Sequence, residues 1–495
     1  MEKRRKREYD LVTRPLLGKI LLFSIPLILT GMLQLLYNAA DLIVVGQFAG
    51  EEAESSMAAV SSTGSLVNLV TNLFIGFSTG ALAVMAKWVG AKNETQADRV
   101  THTSVLIGFI GGCIVGVVGF FLSETLLKAM QTPDDVLGKS TLYLEIFFFG
   151  MPFNLLYNFG ASILRACGDT KRPLLILSAA GVVNIVLNLV FVAVFHMDVA
   201  GVAIATTISQ FLSAVLVLVV LKKRRGFGHL DFKRIRLHMS ALKEIALIGL
   251  PAGIQSTIFS FSNTLIQSSI NKFGSTAMAG SGAAASIENF VYVSINSVAQ
   301  ACLTFVGQNY GAHKKENLNL VLFQCSAIAT VFGLVLGIGA YLGADGLLYL
   351  YNKSPAVIEY GRERLAIVAT TYFLCGLMEV LAASLRGVGR SVLPMITSIV
   401  GVCGGRILWI YTAFAAESDL TMLYLSYPVS WLFTVLGHFI CWILVKKRVN
   451  RQMTPAPALA AGTDRAEEEI LPAQGEKTET QETPDPDDPA GQTGV

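Results

Sequence analysis

Residues 17–45 read LGKILLFSIPLILTGMLQLLYNAADLIVV, and this stretch decides the class of fold. It is apolar over more than the roughly 20 residues that an α-helix needs to cross about 30 Å of hydrocarbon. A basic segment at residues 1–7 precedes it. The apolar part is nevertheless too long for a signal peptide, and no small-residue cleavage site follows it. We interpret the stretch as an uncleaved transmembrane helix.

Eleven more apolar segments of similar length predict an all-α polytopic membrane protein with twelve transmembrane helices. The composition agrees, since 53% of the 495 residues are apolar and only 15% are charged. About 25% charged residues is usual in soluble proteins. The further segments lie at 58–86, 101–130, 139–165, 173–195, 199–221, 241–271, 277–309, 317–350, 355–385, 391–415 and 419–446.

The charges of the connecting loops predict the orientation. If the N-terminus is cytoplasmic, 29 Lys and Arg fall on the cytoplasmic side and six on the other side. Arg362 and Arg364 are among these six. Basic loops stay on the cytoplasmic side of a membrane. Because the number of spans is even, we expect both termini to be cytoplasmic and the protein to lie in the plasma membrane.

The chain also repeats itself. Leu-Arg-Ala-Cys-Gly at 164–168 recurs as Leu-Arg-Gly-Val-Gly at 385–389, and Gly-Ala at 90–91 recurs at 311–312, so both motifs return at one constant offset. Six spans per unit give both units the same orientation. The sequence therefore predicts two parallel six-helix repeats, a plan that occurs in secondary transporters. Pro26 and Pro251 fall at matching places in the first and seventh spans and are predicted kinks and hinges.

These features divide the chain into five predicted regions. The last one carries ten acids and two bases within 453–495 and few residues able to build a core, so we expect disorder there. The net charge of +3 for the whole chain therefore combines a basic membrane part with an acidic tail. Neither part indicates binding of nucleic acid. The regions are a basic cytoplasmic N-terminus at 1–16, a first lobe at 17–221, a basic linker at 222–240, a second lobe at 241–450 and the acidic cytoplasmic tail at 451–495.

Asp41 is the main candidate for chemistry. A carboxylate inside an apolar span costs on the order of 3 kcal/mol, so it should face protein or water. Gln34, Tyr37 and Asn38 precede it by seven, four and three positions, which places all four side chains on one helical face. A carboxyl in this setting can exchange a proton for a cation. The alternative is a structural carboxyl that bonds to a neighbouring helix.

Five further polar residues lie within apolar segments. Asn184 and Asn188 are one turn apart in the fifth segment, where they either complete a site with Asp41 or hold helices together by hydrogen bonds. In the second half, Arg406 could pair with Glu288 or Glu379, which would lower the cost of burying it. Whether those three form a structural ion pair or a substrate site stays open at this stage.

Other classes of site find little support in the sequence. The seven cysteines bracket no polar loop, and the six histidines form no zinc-binding spacing, so we expect neither disulfides nor a metal centre. Gly138-Lys139-Ser140 lacks the earlier glycine of a phosphate-binding loop, since Pro133 stands there. No nucleophile and base are spaced for catalysis. We expect no enzyme activity and no cofactor.

These motifs together resemble the multidrug and toxic compound extrusion (MATE) family, in its bacterial branch related to the NorM and DinF types. The resemblance covers residues 15–450 and implies two six-helix lobes around a central cavity, with export of organic cations in exchange for H⁺ or Na⁺. The matching pieces are Gln34-x-x-Tyr37-Asn38-x-x-Asp41, Gly90-Ala91-Lys92, Leu164-Arg165-x-x-Gly168-Asp169-Thr170-Lys171-x-Pro173, Gly307-Gln308-Asn309-Tyr310-Gly311-Ala312 and Leu385-Arg386-Gly387-x-Gly389.

The resemblance also implies roles for single residues. The family's first-helix acid matches Asp41, its fifth-helix Asn matches Asn184, and a sixth-helix Thr of its cation site matches Thr206. Some members have Asp where this chain has Asn188. One carboxylate fewer favours H⁺ as the coupling ion and leaves Na⁺ at Asp41 as the alternative. Some members carry acids in the seventh and tenth helices for a site in the second lobe. Glu379 lies in the tenth helix, whereas the seventh segment offers no inward acid but the amides Gln255, Asn263 and Gln267.

Two rival functions remain at this stage. A flippase for a lipid-linked saccharide would need a strongly cationic cavity, and Arg406 is the only embedded arginine that the sequence suggests. An embedded enzyme or receptor would need a catalytic constellation or large outer loops, and neither is evident. We expect the partners to be small organic cations and membrane lipid, with no nucleic acid, and we expect a monomer.

Overall fold

The computed structural model describes residues 10–48 and 53–453, which are almost entirely helical and contain no strand. Most of the predicted basic N-terminus and nearly all of the predicted acidic tail lie outside these residues. The helices are α1 Leu17–Phe48, α2 Ala53–Gly90, α3 Glu94–Ala129, α4 Asp134–Ala166, α5 Lys171–Asn188, α6 Asp198–Lys223, α7 Met239–Ile270, α8 Ser275–Gly311, α9 Lys315–Leu342, α10 Ala344–Tyr349, α11 Pro355–Arg364, α12 Tyr372–Gly387, α13 Val392–Ser398, α14 Gly405–Tyr411, α15 Ala413–Ala416 and α16 Leu420–Gln452.

The number of spans agrees with the sequence. Among the described residues, eleven helical stretches are long and apolar enough to cross a membrane. The pair α11 and α12, bent by 43° between Ala369 and Tyr372, completes twelve if it counts as one span. The predicted ninth segment is shorter than expected, because it ends at Leu342 and a separate short helix follows. The all-α polytopic fold is confirmed.

Both predicted hinge prolines lie inside unbroken helices. α1 runs through Pro26 and α7 runs through Pro251, and both prolines are buried. The Thr30 hydroxyl donates to the Pro26 carbonyl at 2.6 Å, whereas the carbonyl that loses its helical partner to the proline is that of Leu22, one turn earlier. A role as hinges stays a prediction.

Three spans contain one turn of π-helix, at Leu189–Val194, Leu365–Ala369 and Ile399–Gly404. Such turns insert an extra residue into a helix and occur often at functional sites. The first directly follows Asn188, and the second directly follows Arg364. The third ends two positions before Arg406. Each of these turns therefore lies beside a buried polar or charged side chain.

The close contacts between the lobes lie in the half of the bundle where α1 begins, and they include Gly76 and Gly80 of α2 against Gly253 and Gly249 of α7. The backbones of α2 and α8 meet there, since a side chain at Gly90 would overlap Gln308 and one at Gly311 would overlap Lys87. The sequence repeat relates each of these two contacts to the other. Three polar contacts between the lobes lie at the same end: Arg165 Nη1 to Gln300 Oε1 at 3.1 Å, Gln308 Nε2 to the Ala166 carbonyl at 2.7 Å and Lys87 Nζ to Glu244 Oε2 at 3.2 Å.

Candidate functional site

Asp41 lies in the last third of α1, and α5 and α6 supply its hydrogen-bond partners. Asn188 Nδ2 donates to Asp41 Oδ1 at 2.5 Å, and the Thr206 hydroxyl is also a hydrogen-bond partner of this carboxylate. Asn184 Nδ2 donates to Thr206 Oγ1 at 3.3 Å, so it stands one step further from the acid. The structure therefore brings together the four residues predicted for ion coupling.

The Asp41 carboxylate has neutral partners. In the part of the chain that the structure describes, neither Lys nor Arg forms an ion pair with it. Tyr143 of α4 is a further close neighbour that the sequence did not indicate. Because its hydrogen-bond partners are one amide and one hydroxyl, a change in the charge of Asp41 is not offset by a fixed cation.

Asn188 has one polar atom left over. Its amide nitrogen bonds to Asp41, but its Oδ1 atom is buried and has no hydrogen-bond partner among the residues that the structure describes. A buried acceptor without a partner costs about 1–3 kcal/mol, so its presence calls for a role. This oxygen can accept a hydrogen bond from a protonated carboxyl or contribute to binding a cation.

The remaining residues of the α1 stripe differ in their surroundings. Gln34 and Asn38 are exposed at the surface of the bundle, whereas Tyr37 is half-buried. The Tyr37 ring lies directly on Gly181 of α5, where any larger side chain would overlap it. The sequence did not indicate Gly181, although a glycine one turn before Asn184 is a signal of close helix packing.

Glu288 in the second lobe is paired with an arginine, and the partner is not the predicted one. Arg364 donates from Nε to Glu288 Oε1 and from Nη2 to Glu288 Oε2, both at 2.9 Å, and both residues are buried. Our assignment of Arg364 to an outer loop was wrong, because it ends α11 inside the tenth span. A fork of two parallel hydrogen bonds is the strongest geometry for this pair. Glu288 is therefore neutralised by a fixed cation.

Arg406 pairs with neither predicted acid. It is 2% exposed, and its Nη1 atom donates to Asn263 Oδ1 at 2.7 Å. Weaker contacts reach Ser430 Oγ at 3.4 Å and Ser262 Oγ at 3.5 Å. The expected ion pair fails because Glu288 already binds Arg364, which leaves Arg406 with neutral partners.

Glu379 and the α7 amides belong to other surroundings. Glu379 is buried, and the charged side chain that interacts with it is that of Arg386. Arg386 Nη2 donates to Gln255 Oε1 at 2.9 Å, which joins the tenth span to α7. Gln267 instead bonds to Asn271 at 3.1 Å near the end of α7. The candidates of the second lobe therefore form several separate groups rather than one site.

Each lobe holds a polar centre. Asp41 of α1, Asn184 of α5 and Thr206 of α6 form one, and Asn263 of α7, Arg406 of α14 and Tyr427 of α16 form another. The match of Pro26 with Pro251 makes Asn263 the counterpart of Asn38, one turn before Asp41, so the two centres lie at neighbouring rather than identical places in the repeat.

A multidentate metal centre is not evident. Within the described ranges, no group of three or more His, Cys, Asp or Glu residues could hold a metal ion. The centre at Asp41 offers one carboxylate, amide oxygens and a hydroxyl. Such oxygen donors suit a proton or an alkali cation that enters and leaves, rather than a resident transition metal.

Comparison with known proteins agrees with this architecture. The family model named MatE matches residues 26–190 and again residues 251–412. One model matching both halves supports the predicted repeat. A solved structure described as the outward-facing conformation of a MATE family transporter of the MOP superfamily has a TM-score of 0.82, with 22% identity and coverage of 89% of this chain and 98% of that one.

Curated relatives also span nearly the whole chain. The probable multidrug resistance protein YoeA of Bacillus subtilis is 27% identical over 87% of this chain and 94% of its own length. The FAD transporter of Shewanella oneidensis is 25% identical over 80% of this chain and 87% of its own length. Because the family model covers most of the chain in two copies, this protein belongs to the MATE family of multidrug efflux transporters and is a membrane transporter rather than an enzyme.

Proposed function

We propose that this protein is a secondary active antiporter that exports organic cations across the plasma membrane in exchange for H⁺ at Asp41, by alternating between inward- and outward-facing states. The observation that carries the proposal is the Asp41 carboxylate, held inside the first lobe by neutral partners alone. A partly buried carboxylate whose partners are neutral can be protonated without leaving a buried cation unpaired, and coupling to a proton requires such a change of charge.

The hydrogen bonds around Asp41 supply a physical switch. The ionised carboxylate only accepts hydrogen bonds, and Asn188 Nδ2 donates one to it. The protonated carboxyl also donates. The unpartnered Asn188 Oδ1 atom can accept that bond once the amide rotates. Protonation would thus rearrange the contact between α1 and α5 beside a π-helical turn and favour bending of α1 near Pro26.

H⁺ is the proposed coupling ion, and Na⁺ at Asp41 is the alternative. A Na⁺ site made of protein oxygens alone would need several of them, and this centre has one carboxylate with Asn184, Asn188 and Thr206 around it. A second acid, which would favour Na⁺, is absent from these positions because Asn188 stands where some relatives carry Asp.

The contacts between the lobes favour an outward-facing state. The close contacts lie in the half of the bundle where α1 begins, which the distribution of Lys and Arg assigns to the cytoplasmic side. Beyond that half, Gln34 and Asn38 of α1 and Asn263 of α7 are exposed. In this proposal both termini are cytoplasmic, the lobes span 17–221 and 241–450, and the transporter acts as a monomer in contact with membrane lipid.

The residues of the cavity guide the proposal for the substrate, since the names of the relatives include both drugs and FAD. Asp41 supplies the negative charge, and Gln34, Tyr37 and Asn38 supply an aromatic and polar surface on the same helix. A bulky organic cation matches this combination through charge attraction and cation–π contact. A saccharide-lipid flippase fits less well, because the Arg364 charge is neutralised by Glu288.

The test is gradient-driven efflux of a cationic dye from proteoliposomes that contain Asp41→Asn. We expect the rate of efflux driven by a pH gradient to fall about tenfold or more, because removal of a proton-transferring group typically lowers a rate at least that much. Asp135→Asn is the matched control, because Asp135 is an exposed acid of the same lobe, in the first turn of α4. Undiminished efflux in correctly folded Asp41→Asn would overturn the role of Asp41, and a response to a Na⁺ gradient alone would overturn H⁺ coupling.

A further inference from the structure

Arg406 is a buried cation without an acid to balance it. Within the residues that the structure describes, its neighbours are the tyrosines Tyr372 and Tyr427 and the cysteines Cys375 and Cys403. Its hydrogen bonds go to an amide and two hydroxyls. An arginine inside a membrane span normally pairs with an acid, since burying an isolated charge is costly. The balancing group is therefore not supplied by the neighbouring side chains.

The neighbouring groups do not balance the positive charge of Arg406. The Tyr427 ring contacts two guanidinium groups, with Arg406 at 4.3 Å and Arg364 at 5.5 Å from its centroid. Glu288 neutralises Arg364 alone. The cluster of Glu288, Arg364, Arg406 and Tyr427 thus carries one net positive charge. It would attract an anionic group.

Asn263 gives the buried guanidinium a route to a ligand. Asn263 is exposed on α7, and it accepts the 2.7 Å bond from Arg406 through its carbonyl oxygen. Its amide nitrogen is left to donate elsewhere. A carboxylate arriving at Asn263 would meet this amide donor and could replace its oxygen on the guanidinium. Arginine and asparagine together present the donors that a carboxylate accepts.

The two lobes hold polar centres of opposite charge. The first lobe holds a carboxylate at Asp41, with an amide partner on α5. The centre of the second lobe holds an amide at Asn263 and a guanidinium at Arg406. A molecule that carries a positive and a negative group matches both charges.

We propose that Arg406 and Asn263 form an anion subsite that binds the carboxylate of a zwitterionic aromatic substrate. The inference rests on the proposed function, because it concerns what the same transporter carries. It assigns to Arg406 and Asn263 the recognition of the acid group in those substrates that carry one beside their cation. Arg406 acts here as a residue that determines specificity.

The test compares two dyes that share one cationic xanthene ring. Rhodamine 6G is the ester, and rhodamine 19 is the corresponding free acid, so they differ by the carboxylate. Binding to the full-length protein in detergent is measured by fluorescence anisotropy. We expect Arg406→Gln to weaken binding of rhodamine 19 about tenfold to a hundredfold more than binding of rhodamine 6G, the range of a hydrogen bond to a charged group.

Two variants serve as controls. Arg362→Gln removes an exposed arginine near the tenth span and should leave the ratio of the two affinities unchanged. Arg406→Lys keeps the charge but loses the planar fork, so it should restore part of the preference for rhodamine 19. Thermal unfolding establishes that each variant is folded, and Gln keeps an amide donor for Asn263.

The outcomes separate this inference from the proposed function. An equal effect of Arg406→Gln on both dyes would overturn the carboxylate subsite, as would a dependence of both affinities on chloride, since chloride would then be the bound anion. Failure of the proposed function would appear instead as rhodamine 6G efflux that does not depend on Asp41.

Discussion

The polar centres of the two lobes are built from similar neutral groups but around opposite charges. In the first lobe Asp41 has amide and hydroxyl partners, and in the second Arg406 has the same kinds of partner. A carboxyl can gain or lose a proton within the range of physiological conditions, whereas a guanidinium stays charged. Duplication has thus produced one centre suited to coupling an ion and one suited to a fixed charge.

The acids of the two lobes differ in the same way. Glu288 forms a bidentate ion pair with Arg364, whereas Asp41 forms no ion pair with the described residues. A paired acid serves the stability of the fold, and an unpaired one is available for a change of state. The location of an acid within the membrane is therefore a weaker guide to function than the charge of its partners.

The largest expected effect is a difference in the free energy of unfolding between variants of these two acids. Glu288→Gln should lower the free energy of unfolding by about 3–5 kcal/mol, because it leaves the Arg364 charge buried and unpaired. Asp41→Asn should change it by less than about 1 kcal/mol, since Asn keeps the hydrogen bonds and removes a buried charge. Unfolding of both variants in detergent, followed by denaturant titration, measures the difference.

A double variant controls for the pair itself. Glu288→Gln combined with Arg364→Met removes both charges and should recover most of the lost stability, since replacing a whole buried pair by neutral groups is often neutral. Equal destabilisation by the Glu288 and Asp41 variants, or no recovery in the double variant, would contradict the distinction between a structural acid and a functional one.

A smaller effect is expected where α1 crosses α5. The first lobe has Gly181 under the Tyr37 ring, and the sequence repeat places Val402 at the equivalent position of the second lobe. Gly181→Val should cost about 1–3 kcal/mol by overpacking. Dye efflux should fall with it, because Tyr37 is displaced one turn before Asp41. Normal efflux and stability in Gly181→Val would show that this contact does not position the stripe, and Gly138→Val, at a glycine with open space beside it, is the control.

The smallest effect concerns the closed end, where equivalent residues make unequal contacts. Gln308 donates to the Ala166 carbonyl at 2.7 Å in a buried setting, whereas its counterpart Lys87 forms a half-exposed pair with Glu244. Gln308→Ala should weaken the closed end by about 0.5–1.5 kcal/mol. Lys87→Ala should weaken it by about 0–1 kcal/mol.

Distance measurements between spin labels on the two lobes give the fraction of open molecules in each variant. The prediction is a larger open fraction at this end for Gln308→Ala than for Lys87→Ala. The reverse order would show that the ion pair, rather than the buried amide, holds this end closed.

Much of the fold followed from apolarity and spacing alone. Segment length predicted the spans, and the constant offset between matching motifs predicted the duplication that the family model later matched twice. Asp41 was found because it shares a helical face with Gln34 and Tyr37. A helical face is a local property, so a single sequence carries it.

What the sequence could not supply was the contact between distant helices. Arg364 was assigned to a loop because charge counting assumes that a charge near the end of an apolar segment is outside. Its buried partner Glu288 lies 76 residues earlier. The wrong partner for Arg406 has the same origin. The bend near Thr370 also escaped prediction, because neither Pro nor Gly marks it.

The crossing of α2 and α8 at Gly90 and Gly311 has a thermodynamic consequence. Because backbone lies on backbone there, parting the lobes at this point exposes peptide groups to water rather than large apolar side chains. Newly exposed polar surface lowers the heat capacity, whereas newly exposed apolar surface raises it. This contact therefore adds little curvature to the temperature dependence of opening.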